Sequence, residues 1–131
     1  MKFRLLICPL IGVLVTGCAA FAPPTAEQVV ADRAQQRVDL LMAGEHEKSY
    51  QLTTPGYRST ENAGQYGTRW AGVGMWKDAR VQSVDCAGET PEACTVVFNV
   101  SYNAMQHGLH TTNLFEQWVF VSGDWYFVQK F

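Results

Sequence analysis

Several well-known chemical signatures are missing from this sequence. It has no Gly-x-Ser-x-Gly elbow, no phosphate-binding glycine loop and no His-Glu-x-x-His pair, so the commonest hydrolase, nucleotide and zinc-protease sites are excluded. Repeats and low-complexity tracts are also missing. Positive charge is scarce: ten Lys and Arg stand against twelve Asp and Glu. Residues 1–17 hold two of those basic residues, Lys2 and Arg4, and none of the acidic ones, so removing them takes the net charge from −2 to −4. An acidic chain lacks the basic surface that nucleic acid selects, and it offers no polybasic face to a membrane. The one long apolar run, Leu5–Val15, is too short for a membrane-spanning helix, which needs about 20 apolar residues.

What the chain does have begins at its N-terminus. Lys2 and Arg4, then the apolar run, then small residues are the layout of an export signal. Val15-Thr16-Gly17-Cys18 resembles the lipobox of bacterial lipoproteins. The resemblance implies cleavage before Cys18, lipidation of Cys18 and a membrane anchor in the cell envelope. Ala19, in place of Asp, implies outer-membrane sorting by the enteric-type rule. One acyl chain holds only marginally, at about 0.8 kcal/mol per buried methylene, and two or three hold firmly. The division that follows is 1–17 signal, 18–25 lipidated cysteine and tether, and 26–131 one α+β domain, a length suited to a single core.

Of the four cysteines, Cys8 leaves with the signal and Cys18 takes lipid. Cys86 and Cys94 flank Ala87-Gly88-Glu89-Thr90-Pro91-Glu92-Ala93, a turn-rich insert. Outside the cytoplasm this pattern favours a disulfide over free or metal-bound thiols.

Thr25-Ala26-Glu27-Gln28 fits a capping box. Ala26, Val30, Ala34, Val38 and Leu41 then recur at helical spacing, predicting an amphipathic helix over 26–43 with Gly44 at its end. A shorter helix is expected over 45–52 with Tyr50 facing in, a break at Thr53-Thr54-Pro55-Gly56, and a third helix over 60–70 weakened by Gly64 and Gly67. After Met75 the pattern alternates. Strands are predicted over 76–85, 95–105, 111–121 and 125–131, with Val96, Phe98, Val100, Tyr102 and Ala104 sharing one face and Ser122-Gly123-Asp124 as a tight turn. Helices followed by hairpin-linked strands read as an antiparallel sheet of about four strands, curved into a cone over the long helix.

The stretches Leu40-Leu41-Met42-Ala43-Gly44, Thr54-Pro55-Gly56-Tyr57-Arg58 and Glu116-Gln117-Trp118-Val119 … Gly123-Asp124-Trp125-Tyr126 resemble the nuclear-transport-factor-2-like (NTF2-like, cystatin-like or SnoaL-like) superfamily over residues 26–131. That resemblance implies a fold that hosts isomerases, dehydratases, binding modules and dimerisation domains, so function must be argued from the site. Its motifs match no catalytic residue position by position.

Glu116 is the candidate catalytic residue. Among aromatics it would be desolvated and could serve as a general base, with Tyr57 or Tyr102 as donor. The favoured reading of Glu116 is plainer: a solvated carboxylate, or one paired with Arg58, Arg69 or Arg80. Tyr57, Trp70, Tyr102 and Trp118 are the ligand-binding candidates, while Phe98, Phe120 and Trp125 are assigned to the core. His107 and His110 lie in a loop, where their spacing enforces nothing, so they are read as a solvated hairpin tip and neither a metal nor a cofactor is expected. His46 is placed on a helix surface. The function expected is a lipid-anchored, non-catalytic domain binding a small apolar ligand or a protein. The alternatives are a cone-pocket isomerase or dehydratase using Glu116, and an assembly module that pairs as a homodimer through its sheet.

Overall fold

The computed structural model describes residues 21–131. The expected signal and Cys18 lie outside them. Four helices are followed by a 3-10 turn and a four-stranded antiparallel sheet. The helices are α1 (Ala26–Met42), α2 (His46–Tyr50), α3 (Pro55–Thr60) and α4 (Ala63–Arg69), and the 3-10 turn is Ala71–Met75. The strands are β1 (Trp76–Cys86), β2 (Ala93–Ala104), β3 (Gly108–Val121) and β4 (Asp124–Phe127), ordered 1-2-3-4 as a meander.

Helix α1 forms for the reasons its sequence gives. The Thr25 hydroxyl accepts from the Gln28 backbone N–H at 3.3 Å, and the Gln28 side chain accepts from the Thr25 N–H at 2.9 Å, satisfying two of the donors a helix start leaves orphaned. Val30, Ala34, Val38 and Leu41 are buried. Gly44 follows at φ +75°, the left-handed conformation that ends many helices and suits glycine.

The next region departs from the sequence reading. Thr53–Gly56 is not simply a break. Thr54 caps α3 by accepting from the Tyr57 N–H, and Pro55 takes the first helical turn, where its missing N–H costs nothing. The helix expected over 60–70 is interrupted at Glu61–Asn62. Asn62 starts α4 with a second capping box to Gln65. Both caps use short polar side chains that read equally well as loop residues.

The strands fall where alternation placed them, with shifted ends. β4 is shorter than expected, stopping at Phe127. Its outer side is closed by residues 52–54: Thr53 bridges Phe127 in parallel, the Phe127 N–H donates to the Leu52 carbonyl and the Thr54 N–H donates to the Phe127 carbonyl. The β3–β4 turn has Ser122 and Gly123 both at positive φ, the primed geometry that matches strand twist. Cys86 and Cys94 are register partners at the end of the β1–β2 hairpin and are joined by the expected disulfide. Closing so short a loop contributes roughly 2.5 kcal/mol in the chain-entropy account.

The concave sheet face holds Ala79, Cys94, Val96, Phe98, Val100, Trp118, Trp125 and Phe127, packed on Val30, Ala34 and Val38 of α1. A second cluster, Leu41, Tyr50, Tyr57, Tyr66 and Val73, fills the space between α1, the short helices and the 3-10 turn. Phe98 and Trp125 are core residues as expected. Phe120 is not. It stacks on Trp125 at 5.4 Å between centroids but stays 43% exposed, because it lies at the far end of β3 where α1 only begins. Trp125 and Phe120 flank Pro24, Ala26 and Val29 there, beside the Glu89–Glu92 turn. The chain therefore enters its fold at the disulfide end of the sheet. The β2–β3 hairpin tip lies at the other end, about 35 Å away along β2 at the usual rise per strand residue.

Candidate functional site

A cavity of about 410 Å³ opens at the end of the cone opposite the disulfide. Its walls come from three places. The 3-10 turn after α4 supplies Val73 and Met75, the sheet supplies Val100, Tyr102 and Leu114, and Trp70 and Trp76 stand on either side of the 3-10 turn. Glycines at 72 and 74 leave the 3-10 turn without bulk: a side chain added at either would meet nothing within 4 Å. Thr112 and Asn113 add polar groups, and among the described residues Arg69 is the only charged one on the wall. The volume lies within the range that takes one small molecule, about 300–1,000 Å³.

The cavity sorts the four ligand-binding candidates. Trp70 and Tyr102 line it. Tyr57 and Trp118 do not. Tyr57 is 3% exposed in a triad with Tyr50 and Tyr66, with ring centroids 5.8–6.3 Å apart. Burial raises its hydroxyl pKa, opposed by the charge of Arg69. Trp118 is fully buried deeper in the cone against Phe127. Trp118 shares its strand face with Glu116, two positions away; the packing of α1 makes that face the inner one and decides which part of it is filled and which stays open.

Glu116 is likewise inside, not solvated, and none of Arg58, Arg69 and Arg80 pairs with it. Its partner is Arg37 of α1, through Nη1 to Oε1, and both side chains are essentially inaccessible. Its other oxygen accepts from the Trp118 indole N–H at 3.1 Å. Burial raises the Glu116 pKa above the ordinary carboxylate value, opposed by the guanidinium and the indole N–H. The general-base reading asked for Tyr57 or Tyr102 as a partner, whereas these hydrogen bonds go to Arg37 and Trp118.

Arg37 is the residue the sequence reading missed. It sits seven positions after Val30, on the buried stripe of α1, so helical spacing alone could have found it; its charge hid it. Its guanidinium lies 3.6 Å from the Phe127 ring centroid and 4.3 Å from that of Trp70, an arrangement in which the aromatic faces stabilise the cation. Its Nε and Nη2 have no hydrogen-bond partner among the described residues. Trp70 touches both this cation and the cavity, and its indole N–H donates to Gln129 Oε1 at 2.7 Å. Ser49 and the Tyr66 hydroxyl hydrogen-bond at 2.8 Å close by, and burial raises the Tyr66 pKa against the opposing Arg37 charge.

At the hairpin tip, His110 stacks on Tyr102 and meets His107 edge-on. Among the described residues no group of three or more His, Cys, Asp or Glu is placed to hold a metal ion. His46 is half-buried rather than a surface residue, packed near Gly67 with its Nδ1 enclosed.

No protein-family model and no curated protein sequence matches this chain. Solved structures do resemble it. A SEC-C motif-containing protein from Psychrobacter arcticus superposes with a TM-score of 0.61 at 15% identity, over 82% of this chain and 62% of that one. Another from Rhodopseudomonas palustris gives 0.56 at 16% identity, over 74% and 73%. A Campylobacter jejuni protein assigned as an NTF2-like transpeptidase gives 0.54 at 12% identity, over 76% of this chain and 96% of that one. The fold is NTF2-like. At these identities the likeness carries the fold alone.

Proposed function

We propose that this protein is a lipid-anchored module of the bacterial envelope that binds a small, mainly apolar molecule in its cone without transforming it. The observation that carries the reading is the preformed cavity, walled by Trp70, Val73, Trp76, Val100, Tyr102 and Leu114 with few polar groups. Apolar concavities with a few placed polar groups are how small-molecule sites are built. Catalysis by Glu116 is less well supported. The carboxylate is not on the cavity wall, and both its oxygens are engaged by Arg37 and Trp118.

The anchor rests on the lipobox-like Val15-Thr16-Gly17-Cys18. The fold begins at the end of the sheet remote from the cavity, so a tether from Cys18 would present the cavity mouth away from the anchoring membrane. Cys18→Ser should move the protein from the membrane to the soluble fraction. Unchanged membrane association would remove the anchor from this reading.

Native mass spectrometry of the full chain, gently released from membranes, tests the cavity. The expected spectrum shows a complex heavier than the lipidated chain that loses a small molecule on activation. A bare monomer under all conditions would count against ligand binding, and a bare dimer would favour an assembly role.

A further inference from the structure

The cavity wall is apolar but not neutral. Among the described residues its one charged group is Arg69, the last residue of α4, and no carboxylate shares the wall with it. The guanidinium is only loosely held: Glu61 pairs with it at 3.7 Å, longer than a hydrogen bond, Tyr57 lies beside it, and the side chain is 40% exposed. An arginine presents its donors as a planar fork matched to a carboxylate. Beyond it the wall is Trp70, Val73, Trp76 and Leu114, and Met75 at the mouth is 69% exposed. Such a site reads two features of one ligand, an apolar body and a single negative end.

We infer that the ligand is a single-chain amphiphile with one anionic head, of the fatty-acid class, its chain among Trp70, Val73, Trp76 and Leu114 and its carboxylate on Arg69. The inference rests on the cavity being a ligand site and adds the ligand's chemical class. The cavity volume, about 410 Å³, is near the lower end of the range for small-molecule sites, which suits one chain and not the two chains and headgroup of a phospholipid. A cationic ligand would meet the Arg69 cation, and the nearest carboxylate, Glu61, is already paired with that arginine.

Photolabelling of the full chain in bacterial membranes tests this. The probes are a long-chain fatty acid with a terminal diazirine, the alcohol of the same chain, and a diacyl phospholipid carrying the same group. The fatty acid should label peptides containing Trp70–Trp76 and Val100–Leu114 about tenfold more than the alcohol, the scale of one charge-assisted hydrogen bond. Arg69→Gln should bring that ratio to about one, and Arg69→Lys should keep most of it. Arg69 is partly exposed, so neither change threatens the fold. An acid-to-alcohol ratio near one in the wild type, a ratio unchanged in Arg69→Gln, or labelling by the phospholipid alone would overturn the inference while leaving the cavity as a binding site. No labelling of these peptides by any probe would overturn the cavity reading as well.

Discussion

Arg37→Met should cost about 3–5 kcal/mol of folding stability, and the double change Arg37→Met with Glu116→Leu should recover most of it. The pair lies fully inside the cone, with Glu116 on the concave face of β3 and Arg37 on the buried stripe of α1. Taking one partner away leaves the other buried without compensation, which is far costlier than replacing both with apolar groups of similar volume. The two single changes should also differ with pH. Arginine does not shed its proton, so Glu116→Leu strands a permanent cation at every pH. Arg37→Met leaves a carboxyl whose pKa burial already pushes upward and which then lacks the cation that opposed it. A carboxyl whose folded pKa lies above its unfolded value stabilises the fold below the unfolded value, and that contribution is lost as pH rises toward the folded one. Arg37→Met should therefore be nearer to wild type at pH 5 than at pH 8, each pH taken relative to wild type. Urea unfolding of the wild type, both single variants and the double at the two pH values measures this. A double variant as unstable as the sum of the singles would mean that the pair is not energetically coupled.

Trp118→Ala should cost a similar amount, about 3–5 kcal/mol, the usual range for deleting a buried aromatic. The side chain is completely enclosed, packs on Phe127 and donates its indole N–H to Glu116. Truncation would open a cavity and withdraw one of the two groups that hold the Glu116 carboxylate. Trp118→Phe keeps most of the volume and loses the donor, so its cost should be about 1–3 kcal/mol, the scale of an unmade buried hydrogen bond. Thermal and urea unfolding of both variants would separate the two contributions. If Trp118→Ala left stability near wild type but abolished ligand retention, Trp118 would belong to the binding site and the core assignment would be wrong.

The elements were legible to unequal degrees. Helix α1 could be read nearly to the residue, because its capping box and apolar spacing act locally. β2 was equally clear, since a strand with one face in the core must alternate. The short helices were less so. α3 and α4 are six and seven residues long, too short to be stable by propensity; they persist because Tyr50, Tyr57 and Tyr66 pack together between them. The site was half legible. Aromatic content pointed to Trp70 and Tyr102, but Tyr57 and Trp118 carry the same chemistry and are used for packing.

Sequence alone determined the α+β class, the inward face of β2 and the cysteines that pair, because each depends on residues adjacent in the chain or at a fixed local period. The tertiary structure decided which carboxylate meets which cation and which aromatics border empty space. Arg37 and Glu116 are 79 positions apart; helical spacing can put Arg37 on the buried stripe of α1, but no local pattern says which carboxylate it meets there. That choice is made when α1 crosses the concave sheet and brings one particular turn over β3. The cavity arises the same way: α1 covers the inner face from the disulfide end as far as Glu116, and beyond that the glycine-bearing 3-10 turn supplies too little side-chain volume to fill the cone.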